Sequence, residues 1–140
     1  MTYELKFNVE RGDFETAGLA SRKIKKTLQQ LGINNKTIRQ VSIAGYEGEM
    51  NLAIHSDGGY ISLMVLDGEL VLVIEDTGPG IPDIALAMQE GYSTAGDEVR
   101  EMGFGAGMGL PNMRNNSDAF EIRSEPGSGT RIEMHFKTRT

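Results

Sequence analysis

Glu69-Leu-Val-Leu-Val-Ile-Glu-Asp76, followed by Thr77-Gly78-Pro79-Gly80-Ile81-Pro82, is the stretch on which the fold turns. Its apolar run predicts a buried strand. A carboxylate, Asp76, closes that strand, and two glycines flank a proline just beyond it. Glycine lets backbone turn sharply and approach a ligand closely, and proline stiffens the turn. An acid at a strand end beside bare backbone suits a nucleotide base: the carboxylate accepts an exocyclic N–H, and the glycines leave room for a flat ring. The plainer reading of the same residues is a strand-to-loop turn.

Upstream, Tyr60–Val65 reads as a second strand, joined to the first through Asp67-Gly68, a strong hairpin signal. Further back, Asn35 to Ser56 predicts a long helix, with Ile43, Tyr46, Met50, Ala53 and Ile54 within about a third of the circle as its buried arc. Glu47, Asn51 and His55, four residues apart, form a polar ridge beside that arc. Gly45 and Gly48 oppose the helix by about 1 kcal/mol each relative to alanine, a cost that close approach of another element or a ligand explains. Asp13 to Leu31 predicts an earlier amphipathic helix, with Ala17, Ala20, Ile24, Leu28 and Leu31 inward and Gly32 ending it. Arg22, Lys23, Lys25 and Lys26 lie off that stripe, either as a solvated face or as a docking surface for an acidic partner. Residues 3–9 alternate as a half-buried strand.

Downstream of the Asp76 turn, Pro82 to Gly91 predicts a short helix. Residues 92–107 lack periodicity and read as a lid. Met108-Gly-Leu-Pro-Asn-Met-Arg opens another helix, and 119–124 and 130–136 are two more strands joined by Glu125-Pro-Gly-Ser-Gly129. Hairpins dominate. The predicted class is therefore α+β: a two-layer sandwich with a mixed, mostly antiparallel sheet and helices on one face.

The 140 residues fit a single domain, 1–140, with a sizeable core. A net charge of −6 argues against a general nucleic-acid binder. It also means that a polyphosphate ligand would need a metal ion and aimed backbone N–H groups to offset repulsion. Cysteine is absent, which excludes disulfides and thiolate metal sites. The first residues are charged where a signal peptide needs an apolar core, and no window approaches 18 apolar residues. The expectation is a cytoplasmic protein with no membrane or direct nucleic-acid role.

Four features carry chemistry. Glu47-x-x-x-Asn51 places an acid and an amide on one helix face. The amide oxygen is a hard neutral ligand suited to Mg²⁺ that also binds phosphates, and the acid can take a proton from an attacking hydroxyl or water. Asp76-x-Gly78-x-Gly80 follows a strand. Gly105-x-Gly107-x-Gly109-Leu110 precedes a helix and puts N–H groups against phosphates. Gly127-x-Gly129-Thr130 enters the last strand, where Thr130 offers a hydroxyl near the base end. Each has a bland counterpart (a solvated helix face, a turn, a flexible loop, a hairpin), but their conjunction in this order is far less expected by chance.

In that order the chain resembles the GHKL, or Bergerat-fold, ATP-binding superfamily of gyrase, Hsp90, histidine kinase and MutL-type domains, over about residues 35–136. Within it, Asp76-Thr-Gly-Pro-Gly-Ile-Pro-Asp-Ile84, Met88-Gln-Glu-Gly-Tyr-Ser-Thr94 and Gly105-Ala-Gly-Met-Gly-Leu-Pro111 resemble the small anti-sigma-factor serine kinases and switch kinases, the RsbT type in particular. The resemblance implies that Asn51 holds Mg²⁺ and Glu47 is the base. It implies that Asp76 binds the adenine amine of ATP or ADP, helped through water by Thr130. Gly78 and Gly80 would then shape the base pocket, and Gly105, Gly107 and Gly109 the phosphate lid. The implied reaction moves the ATP γ-phosphate to a serine or threonine of a STAS-domain regulator. A sigma factor is a further implied partner, and these small kinases are often dimers.

The sequence also departs from the family. An acidic piece, Gly96-Asp-Glu-Val-Arg-Glu-Met102, lengthens the lid. Glu49 is a second acid near the ridge, but helical phase sets it about 160° from Asn51, which favours Glu47. His55 reads as a helix-surface histidine, with approach to phosphate as the alternative, and Arg100 and Arg114 carry no assigned role, although either could reach a phosphate from the lid side. There is no P-loop and no protein-kinase H-R-D or D-F-G set. Two other readings compete with a kinase: a nucleotide-gated regulatory binding module of anti-sigma type without phosphotransfer, and an ATPase that only hydrolyses.

Overall fold

A computed structural model describes residues 3–10, 12, 18–55, 58–76, 109–125 and 129–138. Its elements are β1 (Tyr3–Val9), α1 (Leu19–Gln30), α2 (Asn35–His55), β2 (Gly59–Leu66), β3 (Glu69–Asp76), α3 (Gly109–Asn115), β4 (Ala119–Glu125) and β5 (Gly129–Lys137). The short helix expected at 82–91 and the lid at 92–107, with its acidic piece 96–102, lie outside the described residues.

The five strands form one sheet in the order β1-β2-β3-β5-β4. All four pairings are antiparallel, so the mostly antiparallel sheet expected from the hairpins is fully so among the described residues. The Asp67-Gly68 turn sets the β2–β3 register, pairing Leu66 with Glu69 and, at the far end, Gly59 with Asp76.

Period-two alternation decides which side of the sheet is covered. Ile61 and Leu63 of β2, Leu70, Leu72 and Ile74 of β3, and Ile132, Met134 and Phe136 of β5 point to the helices. There they join Ala20, Ile24 and Leu28 of α1, Ile38, Val41, Ala44 and Leu52 of α2, and Leu110 and Met113 of α3 in one core. Side chains as fully buried as Phe136, Leu72 and Met134 each contribute about 1.5–3 kcal/mol by leaving water. The opposite face carries Lys6, Tyr60, Glu75, Arg131, Glu133 and His135, linked by Tyr60–Glu75, Arg131–Glu133 and Glu133–His135 hydrogen bonds.

α2 is the central helix, packed against α1, α3 and the sheet. Its start is held by Asn34, whose Oδ1 accepts the Thr37 N–H at 2.8 Å while its Nδ2 donates to the Thr138 carbonyl at 3.0 Å. Thr37 Oγ1 donates to the Lys137 carbonyl at 3.1 Å, fastening the same end to β5. α1 stops as Gly32 predicts: Gly32 has φ 75°, its N–H reaches the Gln29 carbonyl, and the Ile33 N–H reaches that of Leu28. This is a Schellman ending.

Two expectations are corrected. Of the arc expected to be buried on α2, Met50 and Ala53 are buried, but Ile43 and Tyr46 are not part of the buried side. Ile43 is half-buried and Tyr46 is 40% exposed, whereas Ile38, Val41, Gly45, Gly48 and Leu52 are buried. The physical reason is close approach to β3. A Cβ on Gly45 would touch Leu72 Cδ2 at 3.9 Å, and one on Gly48 would stand 3.0 Å from Ile74 Cγ1 and overlap its terminal methyl. Bare helix backbone rests on β3 at these glycines, which turns the helix away from the phase its larger apolar residues suggest. The helix expected from Asp13 to Leu31 is likewise corrected: a left-handed Gly18 at φ 92° caps α1, so it begins at Leu19, and Leu31, expected inward, is exposed beyond its end; residues 13–17 lie outside the described set. No helix among the described residues is long and apolar enough to cross a membrane.

Candidate functional site

β3 delivers Asp76 as its last residue, as the apolar run predicts. Two neighbouring strands then close on it. On one side, a Cβ on Gly59 would stand 2.8 Å from the Asp76 Cα. On the other, Gly129 has φ 100°, and a Cβ there would stand 3.0 Å from both Asp76 Oδ1 and its carbonyl carbon. Only glycine allows both strands to come this close at the point where the acid sits. The gain is a direct bond: Asp76 Oδ1 accepts the Thr130 N–H at 3.0 Å, orienting the carboxylate from across the sheet. Thr130 is itself buried, and its hydroxyl lies 2.9 Å from the Ser124 hydroxyl on β4. Asp76 and Thr130, paired in the sequence reading through one nucleotide base, are thus neighbours.

The second half of the site is on α2. Contacts along the helix advance in step with those along β3: Gly45 lies over Leu72, and Gly48 lies over Ile74. A helical turn advances about 5.4 Å and a pair of strand residues about 6.6 Å. One further turn therefore brings the helix near Asn51 and Leu52 level with Asp76. Glu47 and Asn51, both half-buried, lie one turn apart on the flank of that contact line. The same line of contact runs on toward the ends of both elements, where Asn51 and Asp76 stand.

α3 adds a contact that no motif signals. Asn112 Nδ2 donates to Glu47 Oε1 at 3.2 Å. Gly109 is the first residue of α3 and Leu110 is buried in the core beside Met113, so the Gly-Leu pair of the expected phosphate motif anchors the helix that carries Asn112. Gly78, Gly80, Gly105 and Gly107 lie outside the described residues. So does Arg100, while Arg114 is exposed in the last turn of α3. His55 ends α2.

Glu49 has a different job from Glu47. It is 3% exposed and points into the α1–α2 junction. Its Oε2 accepts the Ala20 N–H at 3.1 Å, and its Oε1 accepts the Ser21 N–H at 3.1 Å and the Ser21 hydroxyl at 2.8 Å. α1 has no capping side chain of its own after Gly18, so an acid from the next helix satisfies its first N–H groups and meets the positive end of its dipole. This removes Glu49 from the catalytic candidates, as the helical phase argues. Asn112, Ser124, Gly59 and the capping role of Glu49 are the site residues the sequence reading misses.

The donor set fits a magnesium nucleotide. Among the described residues no group of three or more His, Asp or Glu side chains stands together as a metal cage. Mg²⁺ commonly needs none, since one or two protein oxygens, substrate phosphates and waters complete its shell. Asp76 offers an acceptor whose orientation is fixed by Thr130, the arrangement an exocyclic amine requires.

Comparison with known proteins bears on the family and the fold. Residues 38–140 match the family model of histidine kinase-, DNA gyrase B-, and HSP90-like ATPases. The serine/threonine-protein kinase RsbT of Bacillus subtilis is 32% identical over 120 residues, spanning 82% of this chain and 84% of that protein. An anti-sigma F factor of Caldanaerobacter subterraneus is 32% identical over 110 residues, spanning 75% of this chain and 73% of that protein. Among solved structures, the RsbU and RsbW domains of a Mycobacterium tuberculosis protein share the fold with a TM-score of 0.64 at 15% identity, covering 96% of this chain and 32% of that one. The SiaB–SiaC complex of Pseudomonas aeruginosa gives 0.57 at 14% identity, covering 94% and 88%.

Proposed function

The chain belongs to the histidine kinase-, DNA gyrase B-, and HSP90-like ATPase family and so binds ATP; from that premise we propose that it is a protein serine/threonine kinase of a partner-switching pathway, with a STAS-domain regulator as acceptor. The observation that supports this reading is the parallel advance of α2 along β3, Gly45 over Leu72 and Gly48 over Ile74, a path that, continued one turn, leads the acid–amide pair toward Asp76. Asp76, oriented by Thr130, takes the adenine amine. Asn51 would hold Mg²⁺ through its amide oxygen, and the ion would neutralise phosphate charge. Glu47 accepts the proton of the incoming serine or threonine hydroxyl as its oxygen bonds the γ-phosphorus and ADP departs with the electrons of the broken bridging bond. Such transfer needs mostly positioning and charge neutralisation, so a small sheet-and-helix scaffold can suffice. Relatives named as a serine/threonine-protein kinase and as an anti-sigma factor support both halves of the proposal, catalysis and partner control.

The test uses γ-labelled ATP, Mg²⁺ and a STAS-domain protein as acceptor. Label is expected on one serine or threonine, and Glu47→Ala is expected to abolish transfer while ATP still binds by calorimetry. Transfer by Glu47→Ala at the native rate would remove the base assignment. Partner binding that responds to nucleotide while no label moves would favour the second reading, a nucleotide-gated binding module, which the anti-sigma factor relatives also support.

A further inference from the structure

Glu47 alone does not define a competent base. A carboxylate on a helix surface rotates about several bonds, and a base works only when one oxygen faces the acceptor hydroxyl. The hydrogen bond from Asn112 Nδ2 to Glu47 Oε1, 3.2 Å long and 65 residues apart in sequence, removes that freedom.

Both partners stand on fixed backbone. α2 is seated on β3 through Gly48 and Ile74 and tied to α1 by Glu49, two residues from Glu47. α3 is short, but Leu110, Pro111 and Met113, on both sides of Asn112, are all buried. The Asn112 carbonyl accepts both the Asn116 N–H at 3.1 Å and the Asn116 side-chain amide at 2.8 Å, which fixes the turn behind it. The amide is therefore carried by a rigid support.

The residue type fits the task. An amide donates to a carboxylate without carrying charge. Lysine or arginine at this position would form an ion pair, which favours the deprotonated form and opposes proton uptake.

We propose that Asn112 is a positioning residue for phosphotransfer: it holds Oε1 of Glu47 and turns Oε2 toward the acceptor hydroxyl. This rests on the reading of Glu47 as the base and extends it to a residue on a different helix.

The experiment uses the full chain, γ-labelled ATP with Mg²⁺, and two acceptors, the STAS-domain protein above and water. The rate at saturating ATP is read beside the affinity for a non-hydrolysable ATP analogue and the thermal midpoint. Asn112→Ala is expected to lower the saturated rate about ten- to hundred-fold, with analogue affinity held within about twofold. Asn112→Asp keeps the shape but replaces the donor with a second carboxylate, and is expected to fall at least as far. In a Glu47→Ala background, Asn112→Ala is expected to cost nothing further, since the group it positions is gone.

A merely structural tie gives other results. If Asn112→Ala loses analogue affinity and thermal midpoint together with rate, or if Asn112→Asp keeps the native rate, the positioning role is overturned while Glu47 retains its own. If Glu47→Ala keeps the native rate, or the wild type passes label to neither acceptor, the underlying reading falls and this inference with it.

Discussion

Gly129 leaves no room for a side chain beside Asp76: a Cβ built there stands 3.0 Å from Oδ1 and the carbonyl carbon of Asp76, and closer still to the carbonyl oxygen. The obstructing atoms are mainly backbone, and Gly129 also has φ 100°, so neither a rotamer change nor a small shift relieves the clash. Gly129→Ala is expected to cost about 2–4 kcal/mol, combining left-handed strain with overpacking, and to weaken ATP binding in the same variant. Urea unfolding and calorimetry read the two effects, and unchanged stability would contradict the close approach.

Asp76→Asn separates orientation from recognition. The amide oxygen still accepts the Thr130 N–H, so stability is expected to stay within about 1 kcal/mol of wild type. The other position becomes a donor facing a donor amine, and ATP affinity is expected to drop about ten- to hundred-fold. Fluorescent-nucleotide titration beside a melting curve distinguishes this outcome from unfolding.

The two acids of α2 are expected to behave oppositely. Glu49 serves three donors in a buried junction, and Glu49→Ala leaves them unmet, costing about 2–4 kcal/mol. Glu47 is half-buried and receives one bond from Asn112, so Glu47→Ala is expected to cost no more than about 1 kcal/mol while removing phosphotransfer. A paired urea series on the two variants checks the ordering.

On the open face of the sheet, His135 sits between two acids. Nε2 pairs with Glu133 at 2.8 Å, and Nδ1 pairs with Glu69. The Glu133 hydrogen bond, then that of Glu69, raises the His135 pKa above its ordinary value, and the bond from His135 lowers that of Glu133. A raised histidine gives stability that is whole below about pH 6.5 and is lost as pH climbs through the folded value. A lowered acid gives stability that is whole above about pH 4.5 and is lost as pH falls through its folded value. The cluster therefore contributes fully between those limits. Its partial exposure keeps the contribution below about 1 kcal/mol. The thermal midpoint of wild type is expected to fall more between pH 6.5 and 9 than that of His135→Gln, and parallel curves would refute the linkage.

Much of this architecture is legible in the residues. β3 and its terminal acid, the Asp67-Gly68 hairpin, the extent of α2 and the Gly32 ending of α1 follow from apolar runs and turn chemistry, which are local. The face of α2 is not local. Its contact with β3 is made by glycines, which have no apolar side chain to register in a periodicity, and Ile74 fills the space they vacate. The role of Glu49 is hidden for a related reason: an acid reads as solvent-facing unless one knows that another helix presents uncapped N–H groups to it. Asn112 belongs to no motif, since its meaning comes from a residue 65 positions away. The four nucleotide features gave the family, and the ties among them needed coordinates.

The order β1-β2-β3-β5-β4 has a consequence for how the molecule is born. β5 is a central strand, yet a ribosome delivers it after the other four described strands, and Asp76 must wait for Thr130, 54 residues later. Until then β3 is an unzipped edge with a carboxylate lacking that partner. On the proposed reading of Asp76, a nascent chain halted before residue 129 would lack the Thr130 N–H that orients this carboxylate.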